Sequence, residues 1–127
     1  MFSHVMLGSN DTSKAKTFYD SLFAAVGGKP GFQDDKGRVA YRHNGSTFML
    51  NKPIDGAPAS HANGGTVGFA MDSPEQVHAW HEAGVKAGGV ACEDPPGVRE
   101  NAFGKLYLAY LRDPDGNKLC ALHRMPA

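Results

Sequence analysis

Tyr110-Leu111-Arg112-Asp113-Pro114-Asp115-Gly116-Asn117-Lys118-Leu119-Cys120-Ala121-Leu122 reads as two apolar-rich strands joined by a tight turn. Pro114 presets φ for the second turn position, Asp113 can hydrogen-bond forward into the turn, and Gly116 supplies the φ > 0 residue that closes it. A shorter copy lies upstream. There, residues 38–42 and 46–51 read as strands around His43-Asn44-Gly45, and Asn-Gly is a strong short hairpin signal.

Ahead of each hairpin the same two elements recur. Residues 3–9 are apolar and strand-like, and Asn10 or Asp11 offers an N-cap for the helix that follows. Ala15, Phe18, Leu22 and Val26 fall at spacings of three and four, one stripe facing a core, until Gly27-Gly28 and Pro30 stop the helix. After the proline- and glycine-rich stretch 52–65 the pattern restarts. Residues 66–71 read as a strand, Asp72 and Ser73 as caps, and Pro74 takes the first helical position. Val77, Trp80 and Ala87 form the second stripe, which Gly88-Gly89 ends.

The two halves overlay. An offset of 62 places His4 on Thr66, Asn10 on Asp72, Phe18 on Trp80 and Gly27 on Gly89. An offset of 71 places Gly45 on Gly116, Phe48 on Leu119 and Met49 on Cys120. The nine-residue difference belongs to the connection after each helix, so 92–104 is the longer loop. Each half is strand–helix–strand–strand–strand, and the shared order argues for an internal duplication. The expected fold class is α+β, one domain over residues 1–127 made of two tandem βαβββ modules, 1–51 and 66–123, joined by a linker at 52–65.

Bulk properties narrow the function. A chain of 127 residues suits a single domain with a core of its own. Thirteen basic residues balance thirteen acidic ones with no basic run, so no electrostatic footprint for nucleic acid or an anionic membrane is present. No apolar run approaches the roughly 18–20 residues that span a bilayer. The first residues read as strand rather than signal peptide, and two cysteines make no disulfide framework, so a cytoplasmic protein with reduced thiols is expected.

The repeated βαβββ unit, with His4 opening the first strand and Asp113-Pro114-Asp115-Gly116-Asn117 before the last, resembles the vicinal oxygen chelate superfamily: glyoxalase I, bleomycin-resistance proteins and extradiol dioxygenases. The resemblance covers essentially the whole chain. It implies curved mixed sheets forming a cleft, a chain paired as a homodimer, and, in the metalloenzymes, up to four side chains holding a divalent metal. Those four positions fall here at His4, at Met49 (or Leu50 with a one-residue slip), at Thr66 and at Cys120. One good ligand remains of four. Catalytic zinc typically keeps three protein ligands, and a thioether suits only soft ions. The resemblance therefore leads to a small-molecule ligand bound without the usual cofactor.

Other candidates follow from strand alternation and loop length. If Cys120 faces the cleft, so does Leu122, and the opposed strand is expected to turn Tyr107 and Ala109 the same way. Met49, with Thr47 and Asn51, would line the matching wall. Arg99, in the long second loop, has a planar fork that suits an anionic group, or serves a solvated loop as an Arg–Glu pair. His61 is either a lid residue or a linker histidine. His78 is expected in solvent, and His123 and Arg124 in an exposed terminus. Two classes stand: a metal-free binding protein with a site at His4, Met49, Thr66, Arg99, Tyr107 and Cys120, and an enzyme. The enzyme would be a lyase, isomerase or dioxygenase with an atypical metal at His4, joined by His61 or Glu93 from a loop, or a metal-free catalyst with His4 as base and Tyr107 as acid.

Overall fold

Each module opens with a short strand that runs into a capped helix. In the computed structural model, which describes residues 1–127, β1 (Val5–Gly8) leads to α1 (Thr12–Ala24). Likewise β5 (Val67–Ala70) leads to α2 (Pro74–Lys86). The Asp11 carboxylate accepts from the Lys14 N–H at 3.1 Å, and the Ser73 hydroxyl from the Gln76 N–H at 3.1 Å, each meeting one orphan donor of a first turn. Both helices end at a left-handed glycine, Gly27 (φ 83°) and Gly88 (φ 107°), where L side chains are disfavoured. The match is therefore Gly27 with Gly88, not with Gly89. Two residues, Ala25 and Val26, separate α1 from its glycine, where Ala87 alone separates α2 from its own.

The first sheet has the order β1-β4-β3-β2, with β2 (Phe32–Gln33), β3 (Val39–His43) and β4 (Ser46–Asn51). The second has the order β5-β9-β8-β6, with β6 (Val90–Ala91), β8 (Gly104–Arg112) and β9 (Lys118–Arg124). In each, the opening strand lies parallel to the closing one. Val5 pairs with Phe48 and Val67 with Leu119, so both offsets hold in the pairing itself.

Two expectations change. The stretch 92–104 contains a strand, β7 (Gly97–Asn101), which extends the β8 edge beyond β6 and turns into β8 through Ala102 and Phe103. It carries a single apolar side chain, Val98, which is exposed, so no alternation marked it. The chain end is also more ordered than expected: β9 reaches Arg124, and the His123 Nδ1 lies 3.0 Å from the Met71 carbonyl.

One face of both sheets packs on the helices and makes a single core. Tyr41, Phe48 and Leu50 from the first sheet meet Leu111, Leu119 and Ala121 from the second around Phe18, Tyr19, Leu22 and Trp80. Each large side chain so buried contributes about 1.5–3 kcal/mol. Where α1 crosses α2, a Cβ on Gly84 would overlap the Leu111 Cδ1 and come within 3.1 Å of the Leu22 Cδ1. A glycine there costs about 1 kcal/mol in helix propensity, and it permits the close approach. No helix is long and apolar enough to cross a membrane.

The closing β8–β9 hairpin fastens the modules together. Asp113 is buried, and its carboxylate accepts the backbone N–H groups of Asp115 and Asn117, each at 2.9 Å. It also accepts the Tyr19 hydroxyl of α1 at 2.6 Å and the Asn117 side-chain amide at 2.9 Å. Asn117 donates in turn to the Gly8 carbonyl of β1 at 3.0 Å, and Asp115 accepts the Asn10 N–H at 2.9 Å. Asn10 is thus not the cap; its side-chain oxygen takes the Ala59 N–H of the linker at 2.7 Å. Burial raises the Asp113 pKa against the pull of these donors, and burial together with the Asp113 charge raises that of Tyr19.

Asp113→Ala removes one acceptor from four donors, two of them side-chain groups in the protein interior. It is expected to cost about 3–5 kcal/mol in urea unfolding, against about 1–2 for Tyr19→Phe, which leaves the carboxylate its other three partners. Equal losses in the two variants would show that the carboxylate is not the centre of the cluster.

Candidate functional site

The faces of the sheets turned away from the helices carry the family-like cleft positions. On the first sheet Met6 and Met49 are paired neighbours, and Met6 is exposed. On the second, Gly68 of β5 pairs with Cys120 of β9, Cys120 with Tyr110 of β8, and Leu122 with Leu108. Leu106, Leu108 and Cys120 form a second buried cluster, with Tyr110 and Leu122 against it.

This register corrects one expectation. Opposed residues of an antiparallel pair share a face, and Tyr110, not Tyr107 or Ala109, stands opposite Cys120. Tyr107 and Ala109 point to the helices, and the Tyr107 hydroxyl lies 2.6 Å from the His78 Nε2. The three-residue turn between Asp113 and Asn117 sets the pairing, and a one-residue slip inverts every side chain on a strand. His78 is exposed as expected, yet it is bonded through that hydroxyl.

The polar groups around Cys120 are largely engaged with one another. Lys118 pairs with Glu93, and its Nζ lies 5.0 Å from the centre of the Tyr110 ring. Arg99 donates to the carbonyls of Asp94 (2.9 Å), Pro95 (3.1 Å) and Gly97 (3.1 Å). Its guanidinium therefore holds the loop in shape, and no Arg99–Glu100 pair forms. Burial, with Cys120 and Glu93 alongside, pushes the Tyr110 pKa up to about 12, so the phenol remains a donor at neutral pH. Burial also raises the Cys120 pKa, which keeps the thiol protonated and unreactive.

The remaining candidates are dispersed. His4 is exposed, with its Nδ1 2.8 Å from the Ser3 hydroxyl. It lines, with Gly68, a cavity of ≈ 210 Å³ where β1 and β5 approach; Tyr107 does not, so the His4–Tyr107 acid–base pair is not assembled. Thr66 is exposed just ahead of β5. His61 packs on the Gly116 turn, and Glu93 is held by Lys118, so neither supplies His4 with a further donor. No three His, Cys, Asp or Glu side chains are placed so that they could hold a metal ion together. The donors at the four family positions are one imidazole, one thiol, one thioether and one hydroxyl, a set that does not fit a hard or borderline divalent ion.

The comparisons with known proteins agree with this architecture. Residues 1–121 match the family model of the Glyoxalase/Bleomycin resistance protein/Dioxygenase superfamily. The chain belongs to that superfamily. It is similar, at 57% identity and a TM-score of 0.93, to a glyoxalase/bleomycin resistance protein from Albidiferax ferrireducens T118, over 98% of this chain and 99% of that one. A superfamily enzyme from Burkholderia phytofirmans PsJN shares the fold at 17% identity and a TM-score of 0.73, over 97% of this chain and 98% of that one. Lactoylglutathione lyase from Agrobacterium tumefaciens does so at 20% and 0.67, over 97% and 92%. No curated protein sequence matches the chain.

Within this superfamily member the sequence reading missed Tyr110, Lys118 and Met6. Tyr110 was legible in principle, since placing Asp113 opposite Asn117 across the turn puts Tyr110 opposite Cys120. The thiols offer a direct check. Cys92 is half-buried and Cys120 buried, so a thiol reagent should modify one residue of the native protein rapidly and the second at least ~10-fold more slowly until denaturant is added. The fast phase should survive in Cys120→Ala; its loss there would place a reactive thiol in the cleft.

Proposed function

We propose that the chain binds a small, largely apolar organic molecule against the outer face of its second sheet, as a metal-free binding protein of the bleomycin-resistance type. The observation that carries this reading is the setting of Cys120. It lies among Leu106, Leu108 and Leu122, where the superfamily's metalloenzymes would present a carboxylate, with the protonated Tyr110 hydroxyl as the fixed donor. Apolar contact at about 25 cal/mol per Å² supplies the affinity, and the phenol orients the ligand. Lys118 and Glu93 cancel at the rim, which favours a neutral molecule over a charged one. Met6 and Met49 give the first sheet an adaptable surface. A homodimer in the cytoplasm belongs to the same reading.

The test combines metal and ligand titrations followed by thermal unfolding. Nickel, zinc, manganese and ferrous ions should leave the Tm unchanged, whereas neutral aromatic compounds should raise it. For a compound so found, Tyr110→Phe should weaken binding about 5–10-fold, the loss of one hydrogen bond. Because the phenol titrates near 12, affinity should be flat from neutral pH to about pH 10. A metal-dependent lyase, isomerase or dioxygenase anchored at His4 predicts the opposite: a rise in Tm with one of these ions that His4→Ala abolishes.

A further inference from the structure

The duplication gives every residue of the Asp113 clasp a counterpart at the other end of the molecule, and the clasp is absent there. Gly8 corresponds to Ala70, Ser9 to Met71, Asp113 to His43 and Asn117 to Ser46. The strand geometry is the same at both ends. The Ser9 N–H bonds the Asn51 carbonyl at 2.9 Å, which turns the Gly8 carbonyl outward to the Asn117 amide. The Met71 N–H bonds the Leu122 carbonyl at 2.8 Å, which turns the Ala70 carbonyl outward in the same way. There the hairpin is a residue shorter, Ser46 is exposed, and no side chain donates to Ala70. His81 stands at the counterpart of Tyr19 by the helix offset.

The space that the clasp fills at one end is open at the other. A cavity of ≈ 180 Å³ lies between the β3–β4 hairpin, the β5 edge and α2, with Phe23, Tyr41, Phe48, Phe69 and Trp80 on its walls and Ala70 at its margin. A dry cavity of about 150 Å³ with apolar walls accepts benzene. It adjoins the His4 cavity along β5 but reaches Val26 and Trp80, which that cavity does not. No lysine, arginine, aspartate or glutamate lines it; its polar lining is His43, Asn44 and Ser46 of the hairpin, and a ring acid would find no lysine or arginine to balance its charge.

We propose that this cavity is a second binding site, for a neutral single-ring aromatic that carries one O–H or N–H donor, the phenol or aniline class. The ring packs against the aromatic walls and its donor meets the Ala70 carbonyl, the part that the Asn117 amide plays on Gly8. This site is separate from the one around Cys120 and Tyr110 and does not depend on it.

Trp80 is the chain's one tryptophan and lines the cavity, so its emission reports occupancy. The probes are 4-methylphenol, toluene and 4-methylbenzoate, with excitation at the red edge of tryptophan absorption. The expected result is a saturable change with 4-methylphenol, about 5–10-fold weaker binding of toluene, which lacks the donor, and none of 4-methylbenzoate. Val26→Phe, which fills the cavity, should abolish the response while its amide spectrum keeps the native dispersion. Exposed Ser46 tolerates replacement, and Ser46→Asn, which restores an amide opposite Ala70, should weaken 4-methylphenol about 10-fold or more. Tyr110→Phe should leave the response unchanged. No saturable change with 4-methylphenol, equal binding of 4-methylbenzoate, a response that persists in both Val26→Phe and Ser46→Asn, or one lost in Tyr110→Phe would each overturn the proposal.

Discussion

A buried carboxylate in a turn is an expensive group, and Asp113 persists because the structure directs four donors at it. Two of those donors are supplied by the turn itself. A third is the hydroxyl of a helix 94 residues away in sequence, and the fourth, the Asn117 amide, also reaches the first strand. Meeting the needs of one charge therefore sets the position of α1 and of the end of β1 against the second hairpin. The cleft lies downstream of that constraint: His4 immediately precedes β1, Met6 lies within it, and β1 is held at its far end by Asn117. The Asp-Pro-Asp-Gly-Asn run thus serves architecture, and Cys120 of the cleft face stands three residues beyond it.

The modules share their registers but not their ends. Where the second hairpin has Pro114-Asp115-Gly116 the first has the shorter Asn44-Gly45, and His43 and Ser46 stand where the clasp has its carboxylate and amide. Divergence runs the other way after the helices, where the second module gains β7 and a loop that Arg99 ties down by three carbonyl bonds. The addition thickens the edge beside Cys120, and the deletion opens a cavity beside Trp80. One plan used twice thus carries two unlike surfaces.

What the sequence revealed follows from the range over which each signal acts. The turn, both helix caps and both closing glycines are decided by residues within a few positions, and the overlay of the halves needed only such local marks. The strand pairing at 62 and 71 was legible for the same reason. Tyr107 was misplaced because a face assignment depends on the parity of the turn, and one residue in a loop inverts it. β7 left no trace because an exposed edge strand such as Gly97–Asn101 has no apolar alternation. Arg99 read as either a fork for an anionic group or half of a surface Arg–Glu pair, since the carbonyls that occupy it come into range only once the Pro95-Pro96 bend is folded.

The residue at position 120 connects this geometry with the chemistry. The resemblance places a carboxylate there in metalloenzymes of the superfamily, and a carboxylate among Leu106, Leu108 and Leu122 would be poorly solvated without a cation to balance it. A thiol changes the balance. The same burial that would make a carboxylate depend on a metal holds Cys120 neutral, so the apolar face is stable as it stands. Tyr110 is kept protonated by the same desolvation, and Lys118 is answered by Glu93. Cys120 and Tyr110 are thus neutral, and Lys118 is paired. On the proposed reading, a ligand bringing apolar surface and a single acceptor for the Tyr110 hydroxyl suits that face.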